Sequence, residues 1–205
     1  MTTYTVANLK GGTTKTTTSG LLAHAFEAPT LGVDADPPGS MMRWSELANW
    51  SIPVIGLPVK DLHKRLPGIS RGYANIVIDT PPLDDQAGIV YSALRAADVV
   101  VVPVSPTTME LDRLTPVLAA VDEVAPLRER PPIVKILLTR VVGGANSGSN
   151  AREVLTEAGL DVLRVNIPRL ERYAQAFGAP VTLIPGDPYQ AAADELQAAA
   201  KEAAA

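Results

Sequence analysis

Apolar residues in this chain fall into two patterns that alternate from end to end. Short runs rich in Val, Ile and Leu predict strands over Thr3–Asn8, Thr30–Asp34, Ile52–Gly56, Ala74–Asp79, Asp98–Pro103, Ile133–Thr139 and Leu163–Ile167. Between them, apolar residues recur at helical spacing, which predicts helices over Lys15–Glu27, Ser40–Asn49, Asp61–Leu66, Gln86–Arg95, Met109–Val124, Ser149–Ala158, Arg169–Phe177 and Pro188–Ala203. Strands alternating with helices are the mark of repeated β-α-β units, so the expected fold is α/β, a mostly parallel twisted sheet with helices on both faces. The stretches "NIVIDT", "DVVVVPV" and "IVKILLT" are almost continuously apolar, as strands covered on both faces are. No internal repeat is visible. The segment "GGANSGSN" (143–150) reads as the most flexible loop, and the Ala-rich 190–205 as a terminal helix that frays.

Bulk properties narrow the picture. With 205 residues, 46% hydrophobic and 20% charged, the chain is expected to form one domain spanning 1–205. Its apolar runs are far shorter than the roughly 20 residues that cross a bilayer, and no signal-like segment opens it, so a soluble cytoplasmic protein without a membrane partner is expected. The absence of cysteine excludes disulfides, iron–sulfur clusters and thiolate zinc sites, and His24 and His63 alone make a poor basis for a histidine metal site. A formal charge of −4 argues against a uniformly basic surface, so any DNA contact must be local. Between residues 127 and 180 eight Arg/Lys face five acids, a modest local excess.

The candidate chemistry begins at "NLKGGTTKTTTSG" (8–20), between the first strand and the first helix. Gly11 and Gly12 allow a turn with positive φ and a close backbone approach to phosphate. Lys15 opens the helix, where its ammonium can fold over the loop, and the Thr16 hydroxyl beside it suits Mg²⁺. The stretch is also compatible with a plain Gly-Gly turn followed by a Thr-rich helix start. It departs from G-x-x-x-x-G-K-[ST], since Leu9 and Thr14 stand where that pattern has glycine. Two further strands deliver carboxylates at their carboxyl ends, Asp79 in "NIVIDTPP" and Asp34 with Asp36 in "GVDADPPGS". Ligands of open α/β sheets bind at that edge, and Asp79 is placed to take up the water shell of a Mg²⁺ ion. Met41, Met42 and Trp44, at helical spacing after the aspartates, read as core.

With these stretches in order, the chain resembles the ParA/MinD family from residue 4 to about residue 185. "KGGTTKTTT" is similar to its deviant Walker A box, with Lys10 as the additional lysine; "DADPPGS", "IVIDTPP" and "ALRAADVVVVPVSPT" resemble the motifs that follow. The resemblance implies a P-loop ATPase with ATP and Mg²⁺ as cofactors, working as an ATP-dependent homodimer that sandwiches two nucleotides. It implies that Lys10, Gly11, Gly12, Thr13, Thr14, Lys15, Thr16 and Thr17 surround the phosphates, with Pro168 of "NIPRL" near the base. Lys10 would reach the partner's nucleotide, Lys15 the β- and γ-phosphates, Thr16, Asp36 and Asp79 the metal region, and Asp36 would also position the attacking water. It further implies partition of plasmid or other replicon DNA with a ParB-like partner, or positioning of another cargo through an adaptor. As in small ParA proteins with no preceding helix-turn-helix domain, non-specific DNA binding on the nucleoid is implied, with Arg140, Arg152, Arg164, Arg169 and Arg172 as candidate phosphate contacts. Two positions depart from the family, Thr14 where it has glycine and Thr139 in "LLTR" where relatives often have asparagine; a non-hydrolysing nucleotide switch is the alternative these departures leave open. The tail "DELQAAAKEAAA" is a poor match for the bulky amphipathic anchor of membrane-positioning relatives.

Overall fold

The computed structural model describes residues 1–204. The strands are β1 (Thr2–Val6), β2 (Thr30–Asp34), β3 (Val54–Gly56), β4 (Asn75–Asp79), β5 (Val99–Val104) and β6 (Ile133–Leu138). They form one six-stranded sheet in the order β3-β2-β4-β1-β5-β6. Every pairing is parallel, with Val6 beside Asp79 and Asp34 beside Asp79, which brings the carboxyl ends of three neighbouring strands level.

Alternation along the strands assigns the helices to faces. Tyr4, Val6, Val77, Val99 and Val101 point to one side, where they pack with α1 (Lys15–Ala25), α2 (Ser40–Leu47) and α9 (Pro188–Ala204). Val100, Val102, Ile76 and Ile78 point to the other, against α3 (Leu62–Ile69), α4 (Leu83–Ala96), α6 (Leu114–Val124) and α7 (Ser147–Glu157). Burial on both faces is why these strands read as continuous apolar runs. Met41 and Trp44 are core residues as expected, whereas Met42 is 37% exposed.

Three expected elements change. Leu163–Ile167 is not a strand: it follows the β6 edge through the single bridges Ile136 to Val162 and Val141 to Pro168, with Leu163 N–H donating to the Ile136 carbonyl and Ile167 N–H to that of Leu138. The Arg152 guanidinium donates to the carbonyls of Leu163 (2.5 Å) and Arg164 (3.1 Å), and that of Ile167 accepts from Val141 N–H (3.1 Å). The expected helix Met109–Val124 divides into α5 (Thr108–Asp112) and α6 at Arg113, with the Thr107 hydroxyl capping the first piece at the Glu110 N–H. Arg169–Phe177 shrinks to the single turn α8 (Glu171–Ala174). Among the described residues, no helix is long and apolar enough to cross a membrane.

Candidate nucleotide site

The loop from Ala7 to Thr14 is fixed at its start before it can cradle anything. The Asn8 amide donates to the Pro103 carbonyl (2.7 Å) and accepts from Leu9 N–H (2.5 Å), tying the loop to the end of β5. The Asn8 and Leu9 carbonyls accept from the N–H groups of Leu83 and Asp84 (both 3.2 Å), so the start of α4 completes the loop's base. Gly12 turns with φ 75, and the Thr13 hydroxyl donates back to the Lys10 carbonyl (3.1 Å). Lys15 is buried, and its ammonium donates to the same carbonyl at 2.8 Å, lying within the loop. The first turn of α1 carries no acidic side chain, so its unpaired N–H groups and positive dipole end are open to an anion.

Carboxylates from the neighbouring strands face this loop. Asp79 is fully buried; one oxygen accepts from the Ser19 hydroxyl (3.0 Å), and Oδ2 has no partner. Burial pushes its pKa up to about 7, and the Asp34 charge adds to the rise while the Thr16 and Ser19 hydroxyls oppose it. Thr16 is thus close enough to ease the charge without hydrogen-bonding Oδ2. Asp34, 1% exposed, accepts from Met42 N–H (2.9 Å) and Asp36 N–H (3.1 Å) and so shapes the turn into α2. Burial raises the pKa of Asp36 as well, with Asp34 adding to the rise and Lys15 opposing it. Burial lowers that of Lys15, an effect that Asp79 and Asp36 counteract.

This donor set fits Mg²⁺. A buried carboxylate oxygen without a partner beside a threonine hydroxyl is an all-oxygen environment for a hard cation that keeps much of its water. Among the described residues there is no group of three or more His, Cys, Asp or Glu side chains that could hold a metal by itself. Thr16 and Asp79 would therefore hold the ion in company with phosphate oxygens.

A cavity of about 980 Å³ opens over the loop, lined by Gly11, Gly12, Thr14, Lys15, Thr16 and Thr17. Asp36, Pro168, Tyr173 and Tyr189 line it as well. The two tyrosines are tied by Asp187, 2% exposed, which accepts from the Tyr173 hydroxyl (3.0 Å), Arg172 (3.2 Å) and Tyr189 N–H (3.0 Å). The Tyr189 hydroxyl meets the Thr18 hydroxyl at 3.3 Å, which joins this wall to α1.

The sequence missed two of these groups. Asp84, in the first turn of α4, forms an ion pair with Lys10 at 3.2 Å; its place two residues after "DTPP" was the available signal. Asp187 gave no signal, because its side-chain partners Arg172 and Tyr173 belong to a different element and meet it only through tertiary packing. The structure also separates the candidate arginines. Arg152 is half-buried and spent on the carbonyls of Leu163 and Arg164 and on Asn166, and Arg172 pairs with Asp187. Arg140, Arg164 and Arg169 are exposed, and their side chains make no ion pair among the described residues.

Comparison with known proteins agrees with this geometry. The chain is 33% identical over 181 residues to maintenance of carboxysome distribution protein A from Gloeobacter kilaueensis, covering 85% of this chain and 76% of that protein. The protein of the same name from Halothiobacillus neapolitanus is 28% identical over 202 residues, covering 95% and 92% respectively. The solved ATP complex of McdA from Cyanothece superposes with a TM-score of 0.76 at 21% identity, covering 98% of this chain and 96% of that one, and so shares the fold. The family profile described as the CobQ/CobB/MinD/ParA nucleotide binding domain matches residues 4–181, and the chain belongs to that family.

Proposed function

We propose that this chain is a ParA-type ATPase that binds Mg-ATP, pairs with a second copy around the nucleotides and distributes a large cargo through an adaptor protein. The observation that carries the reading is the buried Lys15 ammonium lodged inside a glycine loop, faced by Asp79 with an unpaired oxygen. Lys15 exchanges the Lys10 carbonyl for β- and γ-phosphate oxygens. Thr16 and Asp79 hold Mg²⁺, which would neutralise phosphate charge when bound. Asp36, on the cavity wall, orients the attacking water. Phosphoryl transfer depends chiefly on placement and charge stabilisation, so these groups suffice for slow turnover. Lys10 leaves Asp84 to reach the nucleotide of the other copy.

Of the two cargo classes left open by the motifs, a protein organelle is favoured over a replicon by the likeness to carboxysome distribution proteins across most of the chain. The exposed Arg140, Arg164 and Arg169 serve as the local basic patch for non-specific DNA in an otherwise acidic protein. The decisive experiment is calorimetry with Mg-ATP followed by ATPase assays with DNA and candidate adaptors. Binding that Lys15→Ala abolishes, with turnover raised by an adaptor, is expected; a purified wild-type chain that ignores millimolar Mg-ATP overturns the reading.

A further inference from the structure

Backbone strain in this molecule collects beside one contact. Thr14 has φ 65 and ψ 14, and Arg140 has φ 55; Asn49, after α2, is the only other non-glycine residue with positive φ among those described. For a β-branched side chain the left-handed region is a true outlier. Thr14 Oγ1 donates to its neighbour, the Thr13 carbonyl (2.6 Å), which leaves its lone pairs to the Thr139 hydroxyl at 3.3 Å, a contact across 125 residues. Thr139 is a firm anchor: it is 1% exposed, and its N–H donates to the Val104 carbonyl at 2.8 Å.

The turn at Thr14 follows another left-handed turn at Gly12. Such turns direct successive backbone N–H groups into a concavity that holds anions. A glycine adopts that conformation without a steric penalty, whereas a threonine must be held in it. We propose that Thr139 is a positioning residue whose hydroxyl pins Thr14 in the left-handed conformation, so that the phosphate loop keeps its receptive shape without a glycine there. The two positions form a matched pair: Thr139 supplies by contact what Thr14 lacks in backbone freedom. The consequence for nucleotide affinity rests on the Mg-ATP reading above, but the brace itself does not.

The test is a double-mutant cycle of T139V, T14G and T14G/T139V, with T139S as the conservative control, read by thermal unfolding without nucleotide and by Mg-ATP calorimetry. T139V should lower the melting temperature by about 3 °C and weaken Mg-ATP binding about fivefold, the worth of one hydrogen bond. T139S should keep both. T14G should raise the melting temperature, and in its background T139V should have no further effect on either readout. Equal damage from T139V with threonine or glycine at position 14, or none in both, overturns the brace. If Mg-ATP binds to no variant while the melting temperatures still show the coupling, the brace stands and the nucleotide reading falls.

Discussion

Lys10 and Asp84 show what a residue's surroundings decide. Their side chains are 49% and 34% exposed, so the ion pair between them is screened and holds Lys10 only loosely. Asp84→Asn is accordingly expected to change unfolding free energy by less than about 0.5 kcal/mol, as denaturant titration would measure. Lys10→Ala should likewise keep the fold yet lose the Mg-ATP-dependent dimer, which light scattering would reveal; an unchanged dimer refutes that role for Lys10. The chain's two histidines are set differently. Burial lowers the pKa of both, with Arg95 and Lys64 adding to the effect at His63, while the Gly20 carbonyl opposes it at His24. A depressed folded pKa means the folded state binds fewer protons than the unfolded one. The stability this represents is present above the ordinary value of 6.5 and is lost as pH falls through the lower folded values. Because Asp79, raised to about 7, contributes a slope of opposite sign over the same range, the histidine effect is read as the difference between wild type and His24→Gln in denaturant titrations from about pH 7.5 to about pH 5, and wild type should lose more stability relative to the variant as pH falls.

Helix α1 is held between opposing demands at Gly20. Alanine there gains up to about 1 kcal/mol in helix propensity. Its Cβ, however, would lie 2.8 Å from ring atoms of both Trp44 and Trp50, and Trp44 is core. Overpacking of that kind costs about 1–3 kcal/mol, so Gly20→Ala is expected to be destabilising on balance, lowering the melting temperature by a few degrees in a thermal scan. Element boundaries also show where sequence reasoning stopped. The central strands were legible because burial on both faces leaves no polar alternation to confuse them. Leu163–Ile167 instead alternates apolar Leu163, Val165 and Ile167 with polar Arg164 and Asn166, as a half-buried strand does, but it sits beyond β6 at the sheet edge and meets it at separate bridges only. The Leu163 and Arg164 carbonyls accept from the side chain of Arg152 instead of a further strand, and a side-chain partner leaves no periodic trace. Arg152→Ala is therefore expected to lower the melting temperature, with no specific loss of DNA affinity at equal folded fraction.

Across the whole molecule, the loop, Asp34, Asp36 and Asp79 were legible because parallel strands carry their carboxyl ends to one edge, which sequence order alone establishes. The tyrosines of the cavity wall were not, since Asp187, Tyr173 and Tyr189 meet through tertiary packing of α9 and α8. That the two positions departing from the family touch each other could not be read from their spacing either. The proposed DNA binding belongs to this scale too. If Arg169 neutralises one phosphate, Arg169→Ala should reduce the magnitude of the salt slope of the ATP-bound state by about one, measured by titration at several salt concentrations. Strand order carries a last consequence. β1 precedes the other five strands of the sheet along the chain, yet it lies between β4 and β5, whose residues begin at Asn75 and Val99. A nascent chain must therefore keep Tyr4 and Val6 waiting until Val104 has been made, and meanwhile the growing protein offers chaperones an unpaired apolar segment.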